Sequence, residues 1–82
     1  MTPEVTLYTR RDCGLCHEAA DVLRQLSPEL RFTLTERDVD ADAGLRGRYG
    51  DAIPVVAVGG REIARAPFDA AALRAALVAA LR

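Results

Sequence analysis

The two cysteines of this chain are the residues whose type and spacing most directly suggest chemistry. Cys13 and Cys16 are separated by two residues, and His17 follows the second cysteine. A C-x-x-C pair is typical of a redox dithiol or of half a zinc site, and C-x-x-C-H is also the attachment motif of a c-type haem. The residues around the motif therefore have to indicate whether it is a redox dithiol, part of a zinc site or a haem attachment site.

The composition sets the broad class of protein. Its 82 residues suffice for one compact domain, so we expect a single domain over residues 1–82. The formal net charge of −1 is spread along the chain, which does not favour nucleic acid as a partner. The first residues lack a basic start followed by an apolar run, and no segment is long enough to cross a membrane. We therefore expect a cytoplasmic monomer with no membrane partner.

The hydrophobic pattern predicts the element order βαβαββα. The first half is predicted to contain a strand over 5–9, a helix from Gly14 to Ser27-Pro28, and a strand from Leu30. A short helix follows, capped by Asp40 or Asp42 and ended by Gly50. The second half is predicted to contain a strand over 54–58, a hairpin at Gly59-Gly60 leading to an edge strand "REIAR", and a last helix capped by Asp69. The first βαβ unit should be a right-handed crossover between parallel strands, and the hairpin strands should add antiparallel. The expected fold class is α/β, with a four-stranded mixed sheet flanked by helices.

This order places the dithiol between the first strand and the first helix, with Cys13 at or next to the helix N-cap. Unpaired backbone N–H groups and the helix dipole favour an anion at that position, so we predict that Cys13 forms a reactive thiolate. Cys16 lies one turn later, near enough to attack a mixed disulfide on Cys13 and release the substrate. Leu15 is predicted to contribute to an exposed apolar rim that receives substrate.

The resemblance to a known family covers essentially the whole chain. The element order, Cys-Gly-Leu-Cys after the first strand, the segment "AIPVVAV" and the terminal helix resemble the glutaredoxins and small glutaredoxin-like proteins of the thioredoxin fold. The resemblance implies a thiol–disulfide oxidoreductase with Cys13 as the nucleophile and Cys16 as the resolving thiol. It also implies protein disulfides or glutathione mixed disulfides as substrates, no tightly bound cofactor, and glutathione or a thioredoxin-reductase-type protein as electron donor.

The same resemblance implies further substrate-binding residues. Proteins of this fold carry a cis-proline beside the dithiol, which corresponds to the Ile53-Pro54 step. Ile53 would then offer its backbone N–H and C=O to glutathione or to a substrate strand. Asp69 would correspond to the acid at the start of the last helix that meets the γ-glutamyl end of glutathione. Arg10 would replace the cation that meets the glycyl carboxylate.

Two departures from the common glutaredoxin pattern concern the substrate. Gly14 and Leu15 stand where a proline and a tyrosine are common, so an aromatic contact to the substrate is missing. The segment "RAPFDAA" lacks the Gly-Gly pair that usually precedes the last helix. Glutathione and a thioredoxin-reductase-type donor therefore both stay open as sources of electrons.

The competing chemistries lack the residues that they need. A haem would require a second axial ligand, yet His17 is the only histidine and the only methionine is the initiator. A zinc site requires a fourth ligand beyond Cys13, Cys16 and His17, so we predict no protein metal site. The alternatives left are a glutathione/iron–sulfur cluster carrier, with the cluster bridged between two chains, and a non-catalytic thioredoxin-fold binding module. His17 is either a cation that stabilises the Cys13 thiolate or an exposed surface residue.

Overall fold

The computed structural model describes residues 2–82, and its elements follow the predicted order. The strands and helices are β1 (Glu4–Thr9), α1 (Gly14–Leu30), β2 (Thr33–Asp38), α2 (Ala43–Tyr49), β3 (Val55–Val58), β4 (Arg61–Arg65) and α3 (Ala70–Ala80), with a short 3-10 turn at Val39–Ala41 before α2. Within residues 2–82, no helix combines the length and the apolar character needed to cross a membrane.

The four strands form one mixed sheet in the order β2-β1-β3-β4. Strand β1 pairs parallel with β2 and antiparallel with β3, and β3 pairs antiparallel with β4. The β3–β4 hairpin turns through Gly59 and Gly60, whose φ angles are 58° and 82°. Glycine adopts these left-handed values without a Cβ penalty, which explains the pair at this turn. The predicted βαβαββα architecture is confirmed.

The two faces of the sheet are covered by different helices. Helices α1 and α3 lie together on one face, over a core that includes Val5, Leu7 and Val56, all 0% exposed. Helix α2 covers part of the other face, where the Tyr8 ring stacks on the Tyr49 ring with centroids 4.2 Å apart. Because α1 and α3 share one face, the loops before these helices are the segments that can build a joint site.

The end of α1 differs from the prediction. Pro28 lies inside the helix, which continues to Leu30 and ends where Arg31 adopts a left-handed φ of 58°. A proline inside a helix removes the hydrogen bond of its own N–H and crowds the carbonyl group four residues earlier, yet α1 extends two residues beyond Pro28. Phe32 is 4% exposed, and its buried side chain anchors the chain after the turn. Consequently Leu30 belongs to α1, and β2 begins at Thr33.

The predicted short helix exists and is capped by Asp42. The Asp42 Oδ1 accepts a hydrogen bond from the Leu45 N–H at 3.1 Å. Asp40, the other predicted cap, lies instead in the preceding 3-10 turn. Gly50 ends the helix as expected, but its φ of −54° is ordinary. A Cβ at Gly50 would lie 2.5 Å from the Arg46 carbonyl oxygen, so glycine is required there by close approach.

Candidate active site

Cys13 occupies the N-cap position of α1, as predicted. Its backbone is extended, with φ −121° and ψ 105°, and its Sγ accepts a hydrogen bond from the Cys16 N–H at 3.1 Å. Its carbonyl oxygen accepts from the His17 N–H, also at 3.1 Å. An N-cap side chain satisfies one of the unpaired N–H groups at the start of a helix, a role usually taken by an oxygen acceptor. Here a sulfur atom takes it, at the positive end of the helix dipole.

The two cysteines differ in accessibility. Cys13 is half-buried, whereas Cys16 is 0% exposed. Their Cα atoms are 5.2 Å apart and the two sulfurs are bonded, so the loop accommodates the disulfide within the usual Cα–Cα range. An approaching molecule can therefore reach Cys13 but not Cys16.

An apolar groove of about 410 Å³ opens beside the dithiol loop, between α1 and the start of α3. Its lining residues are Leu15, Glu18, Ala19, Val22, Pro54, Ala66, Pro67, Phe68, Asp69, Ala70 and Leu73. Leu15 is 61% exposed, as expected for an apolar rim. Three residues predicted to bind substrate, Leu15, Pro54 and Asp69, thus line one groove; that they bind substrate stays a prediction.

Pro54 forms part of the wall of the groove that Leu15 also lines. The Ile53-Pro54 peptide bond is cis, as the family resemblance implied. Pro54 is fully buried, and its carbonyl oxygen accepts a hydrogen bond from the Ala66 N–H at 3.0 Å. This bond ties the start of β3 to the loop before α3. That loop contains a second cis peptide bond, Ala66-Pro67, which the sequence reasoning did not predict.

The backbone N–H of Ile53, which was expected to meet a substrate strand, has a partner inside the protein. Its N–H donates to the Tyr49 carbonyl oxygen at 3.1 Å, and its side chain packs against the cluster under α2. The turn that follows α2 brings both the Ala52 and Ile53 N–H groups onto this one carbonyl. The Ile53 N–H is therefore already used, and only its C=O is left to accept a hydrogen bond from a docked strand.

Asp69 serves first as the N-cap of α3. Its Oδ1 accepts a hydrogen bond from the Ala72 N–H at 2.7 Å, which confirms the predicted cap. The preceding Phe68 is partly buried and packs on the core cluster that contains Leu73, the contact expected of a hydrophobic staple. The cap and the staple fix the loop that forms the far wall of the groove.

Arg10 lies apart from the groove. Its Nε donates to the Asp40 Oδ2 at 2.8 Å, which directs the guanidinium toward the 3-10 turn before α2. The hydrogen bond from Arg10, with the positive charges of Arg10 and Arg46, lowers the pKa of Asp40. Arg10 is thus not brought together with Leu15, and its contact with a glutathione carboxylate stays a prediction.

His17 is exposed in the first turns of α1, directly after the buried Cys16. Among residues 2–82, no group of three or more His, Cys, Asp or Glu side chains comes together as a possible metal set. The structure thus places His17 on the solvent side of the helix.

Sequence reasoning missed Glu18 and Val22 as groove residues. Glu18 is exposed, and it lines the groove with Leu15 and Val22. Glu18 lies three residues after Leu15, and Val22 lies four residues after Glu18; this spacing was the available signal, since such positions share one side of a helix.

The fold and the site together define a class of protein. Cys13 of a C-x-x-C pair caps the first helix of a thioredoxin-like βαβαββα fold, and Leu15, between the two cysteines, lines the same groove as the cis-proline Pro54. A cysteine pair at disulfide distance in this position is a site of the redox type.

Comparisons with known proteins agree with this class. The family model described as "Glutaredoxin-like domain (DUF836)" matches residues 4–78. An uncharacterized protein of Mycobacterium tuberculosis is 42% identical over 78 residues, which cover 89% of this chain and 80% of that protein. The chain therefore belongs to the glutaredoxin-like family.

Solved structures show the same fold. A structural genomics target from X. campestris matches with a TM-score of 0.77 and 41% identity, covering 92% of this chain and 96% of that chain. Oxidised thioredoxin O2 from Arabidopsis thaliana matches with a TM-score of 0.71 and 25% identity, covering 99% of this chain and 76% of that chain.

Proposed function

We propose that the protein is a thiol–disulfide oxidoreductase that reduces protein disulfides or glutathione mixed disulfides through Cys13 and Cys16. The observation that carries the proposal is the asymmetry of the pair. Cys13 is partly accessible and its Sγ accepts the Cys16 N–H at 3.1 Å, whereas Cys16 is 0% exposed. The helix N-terminus therefore stabilises a thiolate on the one sulfur that a substrate can reach.

The reaction has two exchange steps. The Cys13 thiolate attacks one sulfur of the substrate disulfide; the substrate S–S bond breaks, and the first substrate thiolate leaves. The Cys16 thiolate then attacks the Cys13 sulfur, forms the Cys13–Cys16 disulfide and releases the second substrate thiolate. Two electrons pass from the dithiol to the substrate, and the protons lost by the cysteines end on the substrate thiols.

The oxidised protein must then be reduced again. Two molecules of glutathione, oxidised together to glutathione disulfide, or one thioredoxin-reductase-type donor would supply the two electrons. Both donors fit the cytoplasmic location that we propose.

The roles of the two cysteines are tested with Cys13→Ser and Cys16→Ser. Cys13→Ser should abolish disulfide reduction. Cys16→Ser should accumulate a mixed disulfide on Cys13, detected by intact mass, because the resolving thiol is missing. Faster alkylation of Cys16 than of Cys13 in the reduced protein near neutral pH would contradict the assigned roles.

The activity itself is tested by two turnover assays, one driven by glutathione with its reductase and one by thioredoxin reductase. Turnover in either assay supports the proposal and identifies the donor. Absence of turnover in both would favour a binding module, and a brown purified protein with visible absorbance would favour a cluster carrier.

A further inference from the structure

The groove beside the dithiol is apolar but has an anionic rim. Two carboxylates, Glu18 and Asp69, are among its lining residues, and no lysine, arginine or histidine of residues 2–82 lines it. The remaining lining side chains are aliphatic, proline or phenylalanine. A molecule that fills this groove meets a hydrophobic wall and negative charge together.

The two carboxylates differ in how far their charge is compensated. Asp69 caps α3, so its charge lies on the positive end of that helix dipole. Glu18 lies in the second turn of α1 and forms no ion pair with any of residues 2–82. By contrast, Asp21, on the same helix, is paired with Arg24. Glu18 is therefore the main source of uncompensated charge at the groove.

The cation that the family resemblance assigned to substrate binding is directed elsewhere. Arg10, three residues before Cys13, is held by Asp40 at 2.8 Å and does not line the groove. Glutathione carries two carboxylates and one ammonium group, so its net charge has the same sign as that of the rim. A polypeptide with an apolar side chain and a cation near its cysteine complements both features of the groove.

We infer that the groove selects protein disulfides whose cysteine is flanked by an apolar residue and a basic residue, with Glu18 as the specificity-determining charge. The inference rests on the proposed function and identifies its substrate class. The apolar side chain occupies the space between Leu15 and Phe68, and the basic group lies at the rim beside Glu18. Glutathione disulfide is then a poorer oxidant of the protein than such a polypeptide.

The test uses the full-length reduced protein and synthetic peptide disulfides. Four peptides carry one cysteine flanked by leucine and lysine, leucine and glutamate, serine and lysine, or serine and glutamate, each as its symmetric disulfide. Second-order rate constants are measured at low ionic strength for each peptide and for glutathione disulfide. Each value is divided by the rate constant of dithiothreitol with the same disulfide, which removes differences in intrinsic reactivity.

We expect the leucine–lysine peptide to react fastest and to exceed glutathione disulfide. Lysine should be preferred over glutamate by about twofold to fivefold, the range that one exposed ion pair supplies. Glu18→Gln should bring this ratio toward one. Asp21→Asn, which removes the same charge from the same helix outside the groove, should leave the ratio unchanged.

The possible failures are distinguishable. Equal normalised rates for the lysine and glutamate peptides, or the same loss of preference in Asp21→Asn as in Glu18→Gln, would overturn the assignment to Glu18. Equal rates for the leucine and serine peptides would overturn the apolar part. Absence of reaction with every disulfide would instead overturn the proposed oxidoreductase function, and the substrate class with it.

Discussion

Arg10 and Asp40 form an ion pair with Nε and Oδ2 2.8 Å apart, across 30 positions of the sequence. The pair joins the segment after β1 to the 3-10 turn before α2. Arg46 also approaches the same carboxylate, with its Nε 3.4 Å from Oδ1. The Arg10 guanidinium is therefore paired with a carboxylate of the turn before α2.

The Arg10–Asp40 pair predicts a dependence of stability on pH. The hydrogen bond from Arg10 is the largest cause of the lowered Asp40 pKa, partly opposed by desolvation. A carboxyl group whose folded pKa is depressed stabilises the fold above its unfolded pKa, about 3.9, and loses this contribution as the pH falls through the folded value. Arg10→Gln should raise the Asp40 pKa toward the ordinary value, measured by NMR titration of the carboxyl carbon.

A matched control for this titration is Arg24→Gln, which removes a different surface pair, that with Glu36. Arg24→Gln should leave the Asp40 pKa the same as in the unmodified protein. An unchanged Asp40 titration in Arg10→Gln would show that Arg10 is not the cause of the shift.

Two glycines in the α2 region, Gly47 and Gly50, should respond in opposite ways to replacement by alanine. In Gly50→Ala the new Cβ would lie 2.5 Å from the Arg46 carbonyl oxygen, so the backbone must shift and the variant should be less stable. In Gly47→Ala the Cβ meets nothing within 4 Å, and alanine should stabilise the helix by about 0.5–1 kcal/mol. Urea denaturation of both variants measures the difference; equal effects would contradict the steric argument.

The capping role of Asp69 is separable from its charge. Asp69→Ala removes the acceptor for the Ala72 N–H and should lower the free energy of unfolding by about 1 kcal/mol. Asp69→Ser keeps an oxygen acceptor without the negative charge and should recover most of that loss. Chemical denaturation of the two variants gives the comparison, and a serine variant as unstable as the alanine variant would show that the charge itself stabilises the fold.

The features that the sequence predicted correctly depend on local chemistry. The cap positions of Cys13, Asp42 and Asp69 and the turn at Gly59-Gly60 follow from a few neighbouring residues, because caps and tight turns are satisfied by groups within about four positions. The cis peptide bond at Ile53-Pro54 was implied by the family resemblance rather than by any local pattern.

The features that local sequence patterns did not indicate depend on distant parts of the chain. The helix continues past Pro28 because Phe32 is buried against the core, which local propensity does not express. The Ile53 N–H is engaged because the turn after α2 returns to Tyr49. Arg10 is directed away from the groove by a carboxylate 30 positions later in the chain.

Leu15 should contribute to substrate binding and little to folding. It is 61% exposed and lines the groove, so Leu15→Ser should change the free energy of unfolding by less than about 0.5 kcal/mol. Losing its apolar contact with a protein substrate should raise KM about fivefold, equivalent to about 1 kcal/mol of burial.

The substrate comparison for Leu15 separates binding from chemistry. A small disulfide such as hydroxyethyl disulfide does not span the groove, so its turnover should be nearly the same in Leu15→Ser as in the unmodified protein. Leu15→Met retains an apolar side chain and should behave like the unmodified protein with both substrates. If Leu15→Ser slows both substrates equally, the side chain acts on the dithiol itself rather than on the docked polypeptide, because only an effect at Cys13 is common to the two reactions.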